Sequence, residues 1–228
     1  MNIGLLLFPK LTLLDLVGPA EVFTRVPGAT VHLVWKNRDP VATVHGLAMV
    51  PTMTFAECPQ LDVLCVPGGP GQADLMEDEE TLAFLRAQAA QAQWVTSVCT
   101  GSLVLAAAGL LTGYRAACHW ASSDQLALFG AIPVEERVVT DRNRVTGGGV
   151  TAGIDFALGL VARMRDAELA EAIQLVIEYD PMPPFKGGSP RTADPALVAR
   201  MREQMRPFLE PRRAVSERVA AKMRSGPG

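Results

Sequence analysis

The chain has 228 residues, 49% hydrophobic and 20% charged, with a net charge of −3; a single large domain fills that length without staples, and the balance excludes disordered and collagen-like chains. Its longest apolar run, Leu103–Leu111, stops at nine residues where a membrane span needs roughly 18, and the opening MNIGLLLFPK has neither the basic start nor the cleavage site of a signal peptide. A cytoplasmic protein is therefore expected, with Cys58, Cys65, Cys99 and Cys118 as reduced thiols; no CxxC or HExxH spacing points to a metal site, and none is expected.

Ile3–Phe8 is the first apolar, β-rich run and reads as a strand buried on both faces. LTLLDLVGPAEVF, Leu11–Phe23, then leads into a helix over Pro19–Val26, with Asp15 or Gly18 just ahead of it. Val31–Trp35 and Val63–Val66 read as further buried strands, the second running into VPGGPG, Val66–Gly71. Asp78–Ala92 is a helix: Asp78 suits its cap, Glu79 and Glu80 its positive end, and Leu82, Leu85 and Ala89 form one stripe. Trp94–Val98 is the fourth strand. The small apolar helix Gly101–Leu110 must be enclosed almost all round, and Val138–Thr140 with Arg144–Thr146 forms a hairpin across Asp141–Asn143.

TGGGVTAGID, Thr146–Asp155, leads into a helix over Ala152–Met164, and Asp166–Tyr179 is another. Asp180–Pro195, with five prolines and two glycines, cannot hold a helix and is either a linker or a strap. Residues 195–228 carry eight Lys/Arg against three Glu, or +5, leaving −8 for the rest of the chain. A solvated helix face accounts for that charge; contact with nucleic acid or an acidic partner is the alternative. Strand–helix alternation from Ile3 to Met164 predicts an α/β fold, a doubly wound, mostly parallel sheet with helices on both faces. The strap and tail, 181–228, are too small for a domain of their own and are expected to pack on the 1–180 unit.

Cys99 lies where a β-run ends and a helix begins, in TSVCTGSLVLAAAG. Such an elbow lifts a nucleophile over the carboxyl edge of a sheet, and a helix N-terminus favours thiolate; a small buried hydrophobe is the plainer alternative. Asp15, in an apolar stretch after the first strand, belongs to the same edge. It is either a helix cap or a carboxyl kept protonated by burial, able to pass a proton to substrate. The VPGGPG turn lacks the third glycine of GxGxxG and any GK[ST], so its N–H groups suit a developing negative charge rather than a nucleotide. The TGGG turn allows close backbone approach. His119 either pairs with Cys99 as a base or is structural.

The segments DLVGPAEVF, VLCVPGG, VTSVCTGSLVLAAAGLL, ACHW and TGGGVTAGIDFAL, in this order and spacing, resemble the ThiJ/PfpI superfamily of class I glutamine-amidotransferase-like proteins over about residues 1–180. IEYDPMPPFKGGSP, Ile177–Pro190, extends the likeness towards its isocyanide hydratase branch. The resemblance implies a flavodoxin-like sheet, a homodimer and a cysteine nucleophile that works without a cofactor. On the matching positions Cys99 is the elbow cysteine, Asp15 the acid facing it, and Thr100 the residue directly after it. Thr100 stands where peptidase-like members carry His, and Asp15 where glyoxalase- and chaperone-like members carry Glu; both departures favour the hydratase branch.

The implied reaction converts a small-molecule isocyanide and water to an N-substituted formamide through a Cys99 thioimidate, with Asp15 passing the proton. Thr100 and N–H groups near Gly69 and Gly148 are expected to orient water and stabilise the intermediate, and Val150 to act as a gate or packing contact. No membrane or nucleic-acid partner is expected. Two rivals remain. One is a ligand-sensing domain of AraC-type transcription regulators, which share DxxGPxEVF, CTG and HW but need a helix-turn-helix pair of roughly 100 residues, where 33 follow Pro195. The other is a redox or chaperone-like cysteine protein.

Overall fold

Runs such as Ile3–Leu6 and Val63–Val66 are apolar at every position and buried on both faces, as a sheet between helical layers requires. The computed structural model describes residues 1–225; the last three residues of the expected tail, 226–228, lie outside them. Seven strands form the main sheet: β1 (Asn2–Leu6), β2 (Thr30–Trp35), β3 (Met53–Thr54), β4 (Val63–Val66), β5 (Trp94–Val98), β6 (Val138–Asp141) and β7 (Arg144–Gly147). The helices are α1 (Leu13–Phe23), α2 (Gln72–Leu75), α3 (Glu79–Ala89), α4 (Gly101–Ala107), α5 (Ala152–Met164), α6 (Ala167–Val176) and α7 (Pro195–Ser225). Two short ribbons, Val41–Ala42 with Ala48–Met49 and Arg115–Ala116 with Ile132–Pro133, and a 3-10 turn at Ser123–Phe129 complete the elements.

The strand order is β6-β7-β5-β4-β1-β2-β3, and only β6–β7 is antiparallel. This is the flavodoxin-like, doubly wound arrangement, with helices on both faces. Leu5, Cys65, Thr96 and Val145 stand side by side across β1, β4, β5 and β7, so the carboxyl ends of these four strands share one edge. Order reverses between β1 and β4, and the crevice at such a reversal is where an open α/β sheet takes its ligand. Phe23 of α1 and Phe156 of α5 meet edge-on at 6.1 Å, both fully buried; burial of side chains this size is worth about 1.5–3 kcal/mol each.

The first helix differs from expectation. It begins at Leu13, not Pro19, and carries Pro19 in its interior. The buried stripe Leu16, Val22 and Phe23 holds the helix through the proline, whose cost is one missing N–H partner for the Asp15 carbonyl. Asp15 therefore lies within the first turn instead of ahead of the helix. Asp78 does stand at the start of α3, but its carboxylate takes the Thr81 hydroxyl at 2.7 Å and Lys36 at 2.6 Å, not a helix N–H. The tail is one 31-residue helix in spite of Pro207 and Pro211. It is tied down by Ser216, buried and donating to Gln125 at 2.8 Å, and by Arg218 on Glu77 at 3.0 Å.

Candidate active site

Four loops after parallel strands meet at the carboxyl edge. Cys99 follows β5 directly and adopts φ 57, the left-handed region, which costs a residue with a Cβ about 1–3 kcal/mol and is the geometry of an elbow. Its N–H donates to the Gly147 carbonyl at 2.9 Å, fastening the elbow to the end of β7. The turn after β4 closes over it. Gly68 donates to Asp15 Oδ2 at 2.9 Å, and a Cβ on Gly68 would stand 2.6 Å from Thr100 N and 2.8 Å from that same oxygen. Gly69 has φ 138, and a Cβ there would lie 2.5 Å from Thr12 N. At neither position does a Cβ fit without displacing its neighbours.

Asp15 is fully buried, and its Oδ1 bonds no group among the described residues. Burial raises its pKa to about 7, against the opposing Gly68 N–H and Cys99 thiol. Burial likewise pushes the Cys99 thiol well above its ordinary value, and Asp15 and Cys118 push it further; the Thr100 N–H and the Arg212 guanidinium work the other way. At neutral pH the thiol is protonated and the carboxyl beside it is close to half-ionised. The two groups lie close enough for the thiol to bond the carboxyl and for each to shift the other's pKa.

The remaining expected residues fall into two groups. Cys99, Thr100, Gly69 and Val150 line one cavity of about 670 Å³, while Asp15 and Gly148 are not on its walls. That volume suits a small organic ligand. Gly148 N–H is taken by the Arg137 carbonyl at 2.9 Å, and Gly69 N–H by the Thr100 hydroxyl at 3.0 Å. Contrary to expectation, therefore, neither of these two N–H groups is free to hold a water or an anion. The Thr100 hydroxyl is itself engaged with Gly69, so what Thr100 offers Cys99 is its backbone N–H. His119 lines the cavity but accepts the Ala121 N–H at 3.3 Å on Nδ1. Burial and Arg212 lower its pKa to about 4, too weak a base to take a thiol proton in preference to Asp15.

Two cavity residues escaped the sequence. Gln72, at the start of α2, is fully buried in its wall; the only local sign was a polar residue straight after GGPG. Arg212 comes from α7, which supplies a whole side of the cavity through Met205, Phe208, Arg212 and Val215. Arg212 donates to Ser122 Oγ at 3.0 Å and has no carboxylate partner among the described residues, whereas its neighbour Arg213 pairs with Asp124 and Glu217. No sequence signal joins position 212 to Cys99; only docking of the helix does. Among the described residues no three His, Cys, Asp or Glu side chains gather as metal ligands.

The model of the DJ-1/PfpI family matches residues 1–163. The chain is 56% identical to the isonitrile hydratase of Pseudomonas putida over 223 residues, 98% of each chain. It is 33% identical to the HTH-type transcriptional regulator GbdR of Pseudomonas aeruginosa over 187 residues, which cover 78% of this chain and 51% of the regulator. The crystal structure of a ThiJ/PfpI family protein from Pseudomonas syringae superposes with a TM-score of 0.91 at 50% identity, covering 94% of this chain and 90% of that one.

Proposed function

The chain belongs to the DJ-1/PfpI family, and from that premise we propose that it is an isocyanide hydratase, forming an N-substituted formamide from an organic isocyanide and water. Its identity with an isonitrile hydratase along nearly the whole of both chains carries this reading, and the Cys99–Asp15 pair supplies the chemistry. An isocyanide, R–N≡C, ends in a carbon that accepts a nucleophile and then needs a proton. Because the Cys99 thiol is neutral, its proton must leave as sulfur attacks, and the group beside it with a pKa near 7 is Asp15. A base matched to neutral pH does this well.

Asp15 takes the thiol proton and returns it to the isocyanide carbon, giving R–N=CH–S–Cys99. Water then adds to that carbon and yields a proton through Asp15 to nitrogen. The C–S bond breaks, sulfur recovers its proton, and R–NH–CHO leaves. The Thr100 N–H steadies charge on sulfur as it attacks and departs. Gly69 and Gly148 serve by shape, keeping backbone close where a side chain would block it. Val150 and Phe208 provide apolar wall for the substituent R. The route calls on no cofactor.

The reading carries three further expectations. Exposed Leu175, Val176, Met182 and Phe185 support a homodimer that covers them. The bonds from α7 to Gln125 and Glu77 support treating 181–228 as part of the 1–180 unit. Four free cysteines support a cytoplasmic location, and no helix among the described residues is long and apolar enough to cross a membrane. The test of the function is turnover of p-tolyl isocyanide by the purified chain, followed by chromatography. One N-tolylformamide is expected for each isocyanide consumed. Saturable binding with no formamide would favour the ligand-sensing alternative.

A further inference from the structure

Gln72 is fully buried, and neither its Oε1 nor its Nε2 meets a protein hydrogen-bonding group among the described residues. It lines the cavity beside Cys99 and Thr100. Its backbone is fixed: the N–H donates to the Gly69 carbonyl at 3.1 Å, and the carbonyl accepts from Met76 at 3.1 Å. The side chain is thus held at the wall by the same turn that binds Asp15 through Gly68. Among the described residues the other two unpartnered buried polar atoms are Asp15 Oδ1 and Thr43 Oγ1, and Thr43 precedes Val44, which is also in the cavity wall. Buried polar groups are almost always satisfied, so a whole amide left without protein partners calls for a ligand that provides them.

We propose that Gln72 is a catalytic residue for the water-addition half of the reaction, its amide holding the water that attacks the Cys99 thioimidate. The inference rests on the hydratase reading. Chemistry selects the step. The isocyanide R–N≡C has no hydrogen to donate, and neither has the thioimidate R–N=CH–S–Cys99, so neither satisfies the amide oxygen. Water does. With one hydrogen on the Gln72 oxygen, it keeps a lone pair for the thioimidate carbon and its second hydrogen for Asp15. The oxygen–carbon bond forms and that proton passes through Asp15 to nitrogen; the C–S electrons then return to sulfur, which takes the remaining hydroxyl proton by way of Asp15 as R–NH–CHO leaves. Gln72 neither gives nor takes a proton; it orients the nucleophile.

The test is Gln72→Met, and Gln72→Leu beside it, both of similar bulk and without hydrogen bonds. Steady-state rates with p-tolyl isocyanide are measured together with acid-quenched intact mass. The expected result is a kcat at least tenfold lower, with KM falling in proportion. The ratio kcat/KM, which reports thioimidate formation, changes less than threefold. An adduct of one isocyanide mass accumulates on Cys99 to near one equivalent, and at least one variant melts within 5 °C of the wild type. An unchanged kcat, or a kcat/KM that falls with kcat and leaves no adduct, overturns the proposal. So does a melting temperature more than 5 °C lower in both variants, which would make Gln72 structural. A wild-type chain that makes no formamide overturns the hydratase reading itself, and that outcome is visible before any variant is compared.

Discussion

The cavity has a floor and a wall of opposite character. The floor is the carboxyl edge of the sheet, where Cys99, Thr100 and Gly69 line the cavity beside Asp15 and Gly68, all of them buried, and each N–H at 68, 69 and 99 has a specific acceptor. The wall is α7, largely exposed and tied to the rest by surface charge pairs and by the few buried residues Ser216, Val219 and Ala220. The floor fixes atoms to within a hydrogen bond, which bond-making needs. The wall supplies apolar surface and one unpaired guanidinium, which bear on what enters and how charge is balanced. Substitutions in the floor should therefore alter chemistry, and substitutions in the wall should alter rates only modestly.

The sharpest break should come at Asp15. Asp15→Asn keeps the shape but has no base, so kcat/KM for an aryl isocyanide should fall roughly 10²–10⁴-fold. In the wild type, kcat/KM should rise with pH through about 7, as Asp15 loses its proton. Stability should move the other way. The buried carboxyl holds its proton more tightly than the unfolded chain does, with a pKa of about 7 against 3.8. Its contribution is thus fully present below pH 3.8 and is lost as pH rises through about 7. Over that range wild type should lose up to about 4 kcal/mol relative to Asp15→Asn, read as melting temperatures converging at pH 4 and diverging by pH 8.

Gly68→Ala tests the same floor by shape. Its Cβ meets the Thr100 backbone and the Asp15 carboxyl, so a loss of about 1–3 kcal/mol is expected on denaturant unfolding, with kcat falling because the acid–base pair is displaced. Arg212→Gln moves to the wall. It can retain the Ser122 contact but removes the cation that favours Cys99 thiolate. Alkylation of Cys99 by iodoacetamide at pH 8 should slow about five- to tenfold, on the order of 1 kcal/mol. Arg218→Ala, which breaks only the exposed pair with Glu77, should cost less than about 1 kcal/mol and leave kcat unchanged. A larger effect at Arg218 than at Gly68 would erase the distinction between floor and wall.

That contrast also explains what could be read from the sequence. Parallel strands put their carboxyl ends together, so Asp15 after β1, Gly69 after β4 and Cys99 after β5 could be assigned to one edge from chain order alone. The strands themselves were legible because buried parallel strands are apolar at every position. Helix α1 was misread at its start because Pro19 has the look of a first turn, while the stripe Leu16, Val22 and Phe23 that overrides it acts through packing on the far side. The direction of an N–H is not written in residue type either: Gly148 sits in an inviting TGGG turn, yet its N–H faces Arg137. Arg212 and the rest of the wall depend on where a long basic helix docks. Its +5 charge looked like a solvated face, and most of it is; of its eight basic residues Arg212 faces the cavity.

The proposed hydration depends on sulfur chemistry at one of four cysteines. The most direct measurement is formamide production from p-tolyl isocyanide by wild type and by Cys99→Ala, matched for folding by circular dichroism. The expected result is turnover by the wild type and a loss of at least about 10³-fold in the variant, down to the uncatalysed rate. A Cys99→Ala protein that keeps a tenth or more of wild-type turnover would contradict it.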